Sequence, residues 1–182
     1  EHEHSGHEPT RPGVAGVRRR GGAAGRPPDA LASRSEEWST ALPRMTETEW
    51  EQFVAAGTRT GKLATTRLDG RPHVVPVWFV LDGDDLVFNT GAETVKGRAL
   101  RRTGWASLCV DDGHPPFSFV TVSGPVTIST DVDAMLPWAT RIAARYMGAA
   151  LAEEYGRRNA VAGELLVRLR AEHVVAISNV AG

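Results

Sequence analysis

The chain of 182 residues predicts an α+β domain, mainly antiparallel β, whose sheet curls into a barrel with helices packed outside. Three observations predict it. Asp69-Gly70 and Asp82-Gly83-Asp84 are turn signals that join apolar stretches into hairpins. No strand–helix–strand period runs along the chain, which argues against a parallel sheet. The helical patterns are few and lie between strand pairs, an order suited to a closed antiparallel sheet with outer helices.

The elements follow in order. Thr46-Glu47-Thr48-Glu49 is a capping box: Thr46 caps a helix and Glu49 reaches back to it. Trp50, Phe53 and Val54 share one face, and Gly57 ends the helix. A strand over 62–68 turns at Asp69-Gly70 into a return strand over 72–81. That return strand is apolar on both faces and is expected to be buried on both. Pro76 cannot donate to a ladder, so an edge, bulge or opening is expected there. A third strand over 85–90 completes a three-stranded meander, with Leu86 and Phe88 on one face and Val87 and Asn89 on the other. A short helix over 94–102 and strands over 105–111 and 116–129 come next, the second bent at Gly124-Pro125. Val132, Met135, Leu136, Ala139, Ile142, Ala143, Tyr146 and Met147 form a helical stripe, interrupted by Pro137, where a kink or later helix start is expected. A second short helix over 150–158 and strands over 164–170 and 173–178 finish the domain.

Composition limits the function classes. A formal net charge of −1 and a pI near 6.7 supply no global basic field for nucleic acid or membrane. One cysteine, Cys109, excludes an internal disulfide framework and a cysteine-based zinc site, and a reducing cytoplasm is the expected location. No apolar run is long enough to cross a bilayer as a helix. Residues 1–44 are rich in Gly, Arg, Ala and Pro, with few large apolar side chains, and are expected to form a disordered tail ahead of a domain over 45–182. Met45 opens the domain and is the expected translation start. His2, His4 and His7 alternate with acids without a supporting shell for a metal, and Arg18-Arg19-Arg20 reads as a solvated run.

The chemistry concentrates between Lys62 and Arg98. Thr94-Val95-Lys96-Gly97-Arg98 opens a short helix, where orphan N–H groups, a hydroxyl and two cations suit a phosphate. The same residues also read as an ordinary solvated helix start. Lys62 opens the first strand within reach of the same anion, or is a surface lysine. Trp78 and Phe79 could back a planar ring or belong to the core. Trp138 and Tyr146 read as core or interface, Arg141 and Arg145 as a solvated helix face, and Cys109 as a small packed side chain. No Ser–His–Asp, HExxH, paired-carboxylate, GxGxxG or Walker pattern is present, so no catalytic residue and no metal ligand is assigned. Such a chain holds a reactive molecule rather than supplying its own nucleophile.

Several strings carry a resemblance. Gly61-Lys62-Leu63-Ala64-Thr65, the run from Asp69 to Phe79, Phe88-Asn89-Thr90, Lys96-Gly97-Arg98 and Leu100-Arg101-Arg102 resemble the pyridoxamine-phosphate-oxidase-like split β-barrel superfamily. The Val77-Trp78-Phe79 strand and the Thr-x-Lys-x-Arg clamp look most like its branch using the deazaflavin coenzyme F420. The resemblance covers roughly 46–179, and Trp105 stands where members carry a smaller residue. It implies a homodimer with a cofactor groove between subunits. By that resemblance Thr94, Lys96, Gly97 and Arg98 would hold the phosphate and Lys62 would lie near the acidic tail of F420. Pro76, Val77, Trp78 and Phe79 would back the ring, and Asn89 and Thr90 would border it. Trp138, Arg141, Tyr146 and Met147 would come from the partner. The implied activity is hydride transfer from reduced F420 to a small unsaturated or planar substrate. The alternatives are an FMN-dependent oxidoreductase and a haem or cofactor carrier without turnover.

Overall fold

The structure, a computed structural model, describes residues 42–181. The readings made of His2, His4, His7, the Arg18–Arg20 run and most of the 1–44 tail lie outside the described residues. From the start of the described chain, Arg44 bridges to Ile177 and the Met45 N–H donates to the Ala176 carbonyl at 3.0 Å. Pro43 also accepts from the Ser178 N–H at 2.9 Å. Residues 43–45 therefore extend the sheet as a short edge segment.

Helix α1 (Glu47–Ala55) begins on the expected reciprocal box, with Thr46 and Glu49 exchanging backbone and side-chain hydrogen bonds. It buries Trp50 and Val54. Strands β1 (Gly61–Thr66) and β2 (Pro72–Val77) form a hairpin. Its five-residue turn is closed by the Arg67 N–H on the Arg71 carbonyl at 2.9 Å, with Gly70 at φ +80°. Strands β3 (Val80–Asp82) and β4 (Asp85–Gly91) form the next hairpin. Helix α2 (Val95–Thr103), β5 (Trp105–Asp112), β6 (Ser118–Ser129), α3 (Val132–Met147), a single 3₁₀ turn, α4 (Ala152–Asn159), β7 (Glu164–Leu169) and β8 (His173–Ile177) follow. Helix α3 starts ahead of Pro137 rather than after it.

The ladder order is β2-β1-β5-β6-β7-β4-β3, with β8 added beside β6, and every pairing is antiparallel. The expected three-stranded meander is therefore not formed. β2 and β3 are consecutive in the chain but stand at opposite ends of the ladder, separated only by Trp78 and Phe79. The sheet curls until its two ends nearly meet, and the chain steps across the gap. β6 holds the two halves together: its first part pairs with β5 and β8, its last part with β7. The switch falls at Gly124-Pro125, as the bend there anticipates. A Cβ on Gly124 would lie 2.0 Å from the Arg170 carbonyl oxygen, so only glycine fits.

Alternate residues of the strands fill one core, with Leu63, Phe79, Leu86, Phe88, Leu108, Val120, Leu165, Val167 and Leu169 wholly or nearly wholly buried. α1 and α2 close its ends through Trp50, Val54 and Leu100. On the other face of β4 and β7, α3 packs Ile142, Trp138 and Tyr146 against Val80, Val87 and Leu166. The double-sided burial expected of 72–81 is not found: β2 is an edge strand, and Val74 is 59% exposed.

The step between β2 and β3 leaves Phe79 without ladder partners, and α3 supplies them. The Phe79 N–H donates to the Tyr146 hydroxyl at 3.3 Å, and its carbonyl accepts from the Arg145 guanidinium at 3.0 Å. Arg145 also donates to the Val54 carbonyl at 2.6 Å and the Gly57 carbonyl at 3.0 Å, and lies 4.5 Å from the Phe79 ring centroid. The Tyr146 hydroxyl in turn donates a hydrogen bond to the Arg59 carbonyl at 2.9 Å. Burial pulls the Arg145 pKa down, yet guanidinium stays charged at any physiological pH. Arg145, read from the sequence as a solvated face, is thus a half-buried tie between α1, the β2–β3 step and α3. Arg145→Met keeps much of the side-chain volume but leaves three carbonyls without this donor. It should lower stability by about 3 kcal/mol and the melting temperature by roughly 10 °C, read by urea and thermal unfolding. An unchanged midpoint would mean that water replaces the guanidinium.

Candidate cofactor site

A cleft of about 440 Å³ opens where the β2–β3 step, the outer face of β4 and β7, and helices α2, α3 and α4 converge. Each wall has a local cause. The first is the step itself, which presents Pro76, Val77 and Trp78. Trp78 stacks on Tyr146 with ring centroids 4.9 Å apart and planes within 3° of parallel. Both rings belong to one chain. The second wall is the β4–β7 ladder, where Asn89 faces Leu166 and Gly91 faces Glu164. The third is the start of α2, which brings Lys96; the fourth is the end of α4, which brings Arg158 and Asn159. α4 is pressed onto α3 at Gly156, where a Cβ would stand 2.2 Å from the Thr140 hydroxyl. Thr60 and Ile142 complete the lining.

Pro76, Val77, Trp78, Asn89 and Lys96, nominated from the sequence, line this one cleft. The other nominees lie around it in different settings. Phe79 and Thr90 are buried. The Thr94 hydroxyl caps α2, accepting from the Gly97 N–H at 3.1 Å and donating to the Gly91 carbonyl at 2.7 Å. Gly97 lets α2 seat on the end of β4: a Cβ there would be 2.3 Å from the Gly91 carbonyl oxygen. Arg98 points away from the cleft, donating to the Glu93 carbonyl, with its guanidinium 3.8 Å from the Glu93 carboxylate. It lines a separate surface hollow with Arg67, Val95 and Arg102. Lys62, opposite Pro76 in the ladder, pairs with Asp111. Arg141 donates to the Leu81 carbonyl at 3.2 Å and lies 4.6 Å from the Trp138 ring centroid. Met147 is half-buried at the end of α3.

Sequence reasoning did not nominate Thr60, Arg158, Asn159 or Glu164. Only the pairing of β4 with β7 and the docking of α4 bring them here, and neither is encoded in a local motif. Ile142 was visible only as part of an apolar stripe.

The polar lining fits an anionic ligand with a ring system. Both amide atoms of Asn89 are buried and have no hydrogen-bond partner among the described residues. A buried unpaired amide is costly, and a ligand with a donor and an acceptor on one edge would satisfy it. Lys96 and Arg158 supply positive charge, and Trp78 supplies a flat surface. Glu164 is the cleft's one acid: burial pushes its pKa up, while the Lys96 charge works the other way. Among the described residues no group of three His, Cys, Asp or Glu side chains is placed to hold a metal, and no helix is long and apolar enough to cross a membrane.

An antiparallel sheet split between two consecutive strands, with a cleft beside the split, defines the split β-barrel class. The pyridoxamine 5'-phosphate oxidase family model matches residues 46–177, and the chain belongs to that family, part of a superfamily that includes oxidoreductases. Solved structures share the fold. A conserved hypothetical protein from Mycobacterium tuberculosis is 26% identical, with a TM-score of 0.67 over 78% of this chain and 89% of its own. An F420 reductase is 23% identical, with a TM-score of 0.55 over 68% of this chain and 94% of its own. A FAD-binding protein from Mesorhizobium loti is 20% identical, with a TM-score of 0.55 over 74% of this chain and 94% of its own. No curated protein matches the chain significantly.

The contact at Gly97 gives a direct test of how the cleft's cationic wall is set. Gly97→Ala should push α2 off the end of β4, cost about 1–3 kcal/mol and weaken any ligand held by Lys96. Unfolding midpoints check the first effect. A variant as stable as the parent would show that α2 seats without this close approach.

Proposed function

We propose that the protein is an F420-dependent oxidoreductase that passes a hydride from the reduced deazaflavin to a small unsaturated or planar substrate. The observation that carries this reading is the convergence of Trp78, the unpartnered Asn89 amide and Lys96 in one cleft. Those are the features a planar, phosphate-bearing cofactor needs, and an F420 reductase shares the fold. Bound F420 supplies the hydride; the chain's residues bind, orient and exclude water. Lys96 and Arg158 would hold the phosphate. Pro76, Val77 and Trp78 would back the ring, and Asn89 would meet its polar edge. Tyr146 keeps Trp78 in plane by stacking beneath it. We assign no residue of the chain as a catalytic acid for this transfer.

The decisive experiment is equilibrium binding of F420, FMN, FAD and haem to the purified protein, measured side by side. F420 should bind at micromolar Kd or tighter, about −8 kcal/mol, and more strongly than the others. FMN or FAD co-purifying stoichiometrically would replace F420 in this reading. Tight haem binding without a redox-active flavin would favour a carrier. Lys96→Ala should weaken F420 by about ten- to a hundredfold, the loss of one charge-assisted hydrogen-bonding cation. Arg98→Ala should cost less, because that guanidinium already serves Glu93.

We also propose that the active form is a homodimer. The outer face of the sheet carries two cross-strand rows, Val74–Ala64–Ser107–Ser123–His173 and Pro76–Lys62–Cys109–Thr121–Val175. Val175 is 53% exposed, like Val74 at the opposite margin, and Trp105 is 41% exposed beside them. A broad, weakly charged sheet face of this kind suits a second copy of the chain. Because Pro76 belongs to both that face and the cleft, the partner would border the cofactor. Light scattering at micromolar concentration should give twice the chain mass; a monomer would overturn the proposal.

A further inference from the structure

The cleft holds a carboxylate where its proposed ligand brings negative charge. Glu164 opens β7 directly opposite Gly91, the last residue of β4. Because Gly91 has no side chain, the Glu164 carboxylate swings over it. A Cβ built on Gly91 would lie 3.3 Å from Glu164 Oε1 and 3.1 Å from the Thr94 methyl group. The acid therefore lies against the N-terminal end of α2, the end with partial positive charge. The groups that face it are Lys96 from α2, Arg158 and Asn159 from α4, and Asn89 from β4; α3 contributes the apolar Ile142 and the β2–β3 step contributes Pro76, Val77 and Trp78. Two cations and one acid leave a net charge of +1 in the lining. A phosphate drawn to Lys96 and Arg158 meets Glu164 at close range.

We propose that Glu164 makes anion binding in this cleft proton-coupled: the carboxyl takes up a proton from solvent as a phosphate-bearing ligand seats beside Lys96 and Arg158. The neutral acid then donates a hydrogen bond to the ligand instead of repelling it. Glu164 thereby sets which ligands enter, favouring those that tolerate or supply that proton. The inference rests on the cleft being the cofactor site proposed above, but not on the cofactor being F420. Burial already raises the Glu164 pKa before any ligand arrives, and a bound anion raises it further. The sign follows. Affinity is greatest below the pKa of the free protein, falls as pH rises between the free and bound values, and is level above both. Ionisation of the ligand phosphate changes affinity in the opposite sense, so a variant lacking the acid separates the two.

The test compares parent and Glu164→Gln for binding of FMN, riboflavin, inorganic pyrophosphate and F420 between pH 5 and 8, by calorimetry in two buffers of different ionisation enthalpy. Gln has the same shape without the charge; Glu164→Ala serves as a second variant if Gln disturbs the fold. At pH 8 the variant should bind FMN and pyrophosphate about tenfold more tightly than the parent, as removal of a neighbouring like charge allows. Riboflavin, which shares the FMN ring but has no phosphate, should be unaffected. Net proton uptake on binding should appear with the parent and vanish with the variant. Equal affinities for FMN and pyrophosphate, absent uptake, or no binding of either to both proteins would overturn the inference. If those arms behave as expected and F420 alone fails to bind, the F420 reading falls and the role of Glu164 stands. If F420 binds tightly and identically to parent and variant, the reverse holds.

Discussion

Phe79 has a backbone N–H and C=O that no strand can satisfy, because the chain at that residue is leaving one end of the sheet for the other. Buried peptide groups without partners are not tolerated. The fold meets this demand with two adjacent side chains at the end of α3: Tyr146 accepts the N–H and Arg145 donates to the carbonyl. The remaining donors of Arg145 tie down the end of α1, and the Tyr146 hydroxyl reaches Arg59 ahead of β1. Much else follows from this arrangement. The sheet stays split instead of closing, α3 is anchored across the split, and Trp78 is turned outward onto Tyr146 as the floor of the cleft.

The cleft is assembled from the ends of elements, which is why its chemistry is mixed. The start of α2 offers a cation, the end of α4 another, the start of β7 an acid, and the middle of β4 an amide left without a partner. The two glycines at the junctions have opposite uses. Gly97 lets two backbones touch, while Gly91 leaves room that a carboxylate fills. The lining carries little net charge, so recognition there depends on where each charge stands more than on their sum.

Features fixed by neighbours along the chain were legible in the sequence. The Thr46–Glu49 box, the turn at Asp69-Gly70, the alternation of Leu86 to Asn89, the bend at Gly124-Pro125 and the long stripe of α3 all depend on residues a few positions apart, and each stands where the pattern placed it. The step at Trp78-Phe79 was not legible, because the apolar run from His73 to Leu81 continues through it unbroken. Nothing local says that Val77 and Val80 belong to opposite ends of a ladder. The exposure of Val74 follows from the same fact, since an edge strand has cover on one face only. In the cleft, Lys96 was found because it lies in a recognisable helix start, and Asn89 only because Phe88-Asn89-Thr90 carries the family resemblance. Arg158 and Glu164 were missed because only tertiary pairing gives them a role. Arg145 was misread because a helix-face arginine looks solvated until the carbonyls it serves, on α1 and at the β2–β3 step, are known.

The sharing of β6 has a consequence for how the protein can be divided. One part of that strand belongs to each side of the split, and its two partners in the second half of the chain, β7 and β8, come after it, beyond α3 and α4. β1 to β5, in turn, are distributed between both sides. A cut anywhere between β3 and β7 therefore leaves each fragment with strands from both sides and a complete core in neither. The cleft, lined from Thr60 to Glu164, is divided by the same cut, so the sheet and the cleft are not separable modules.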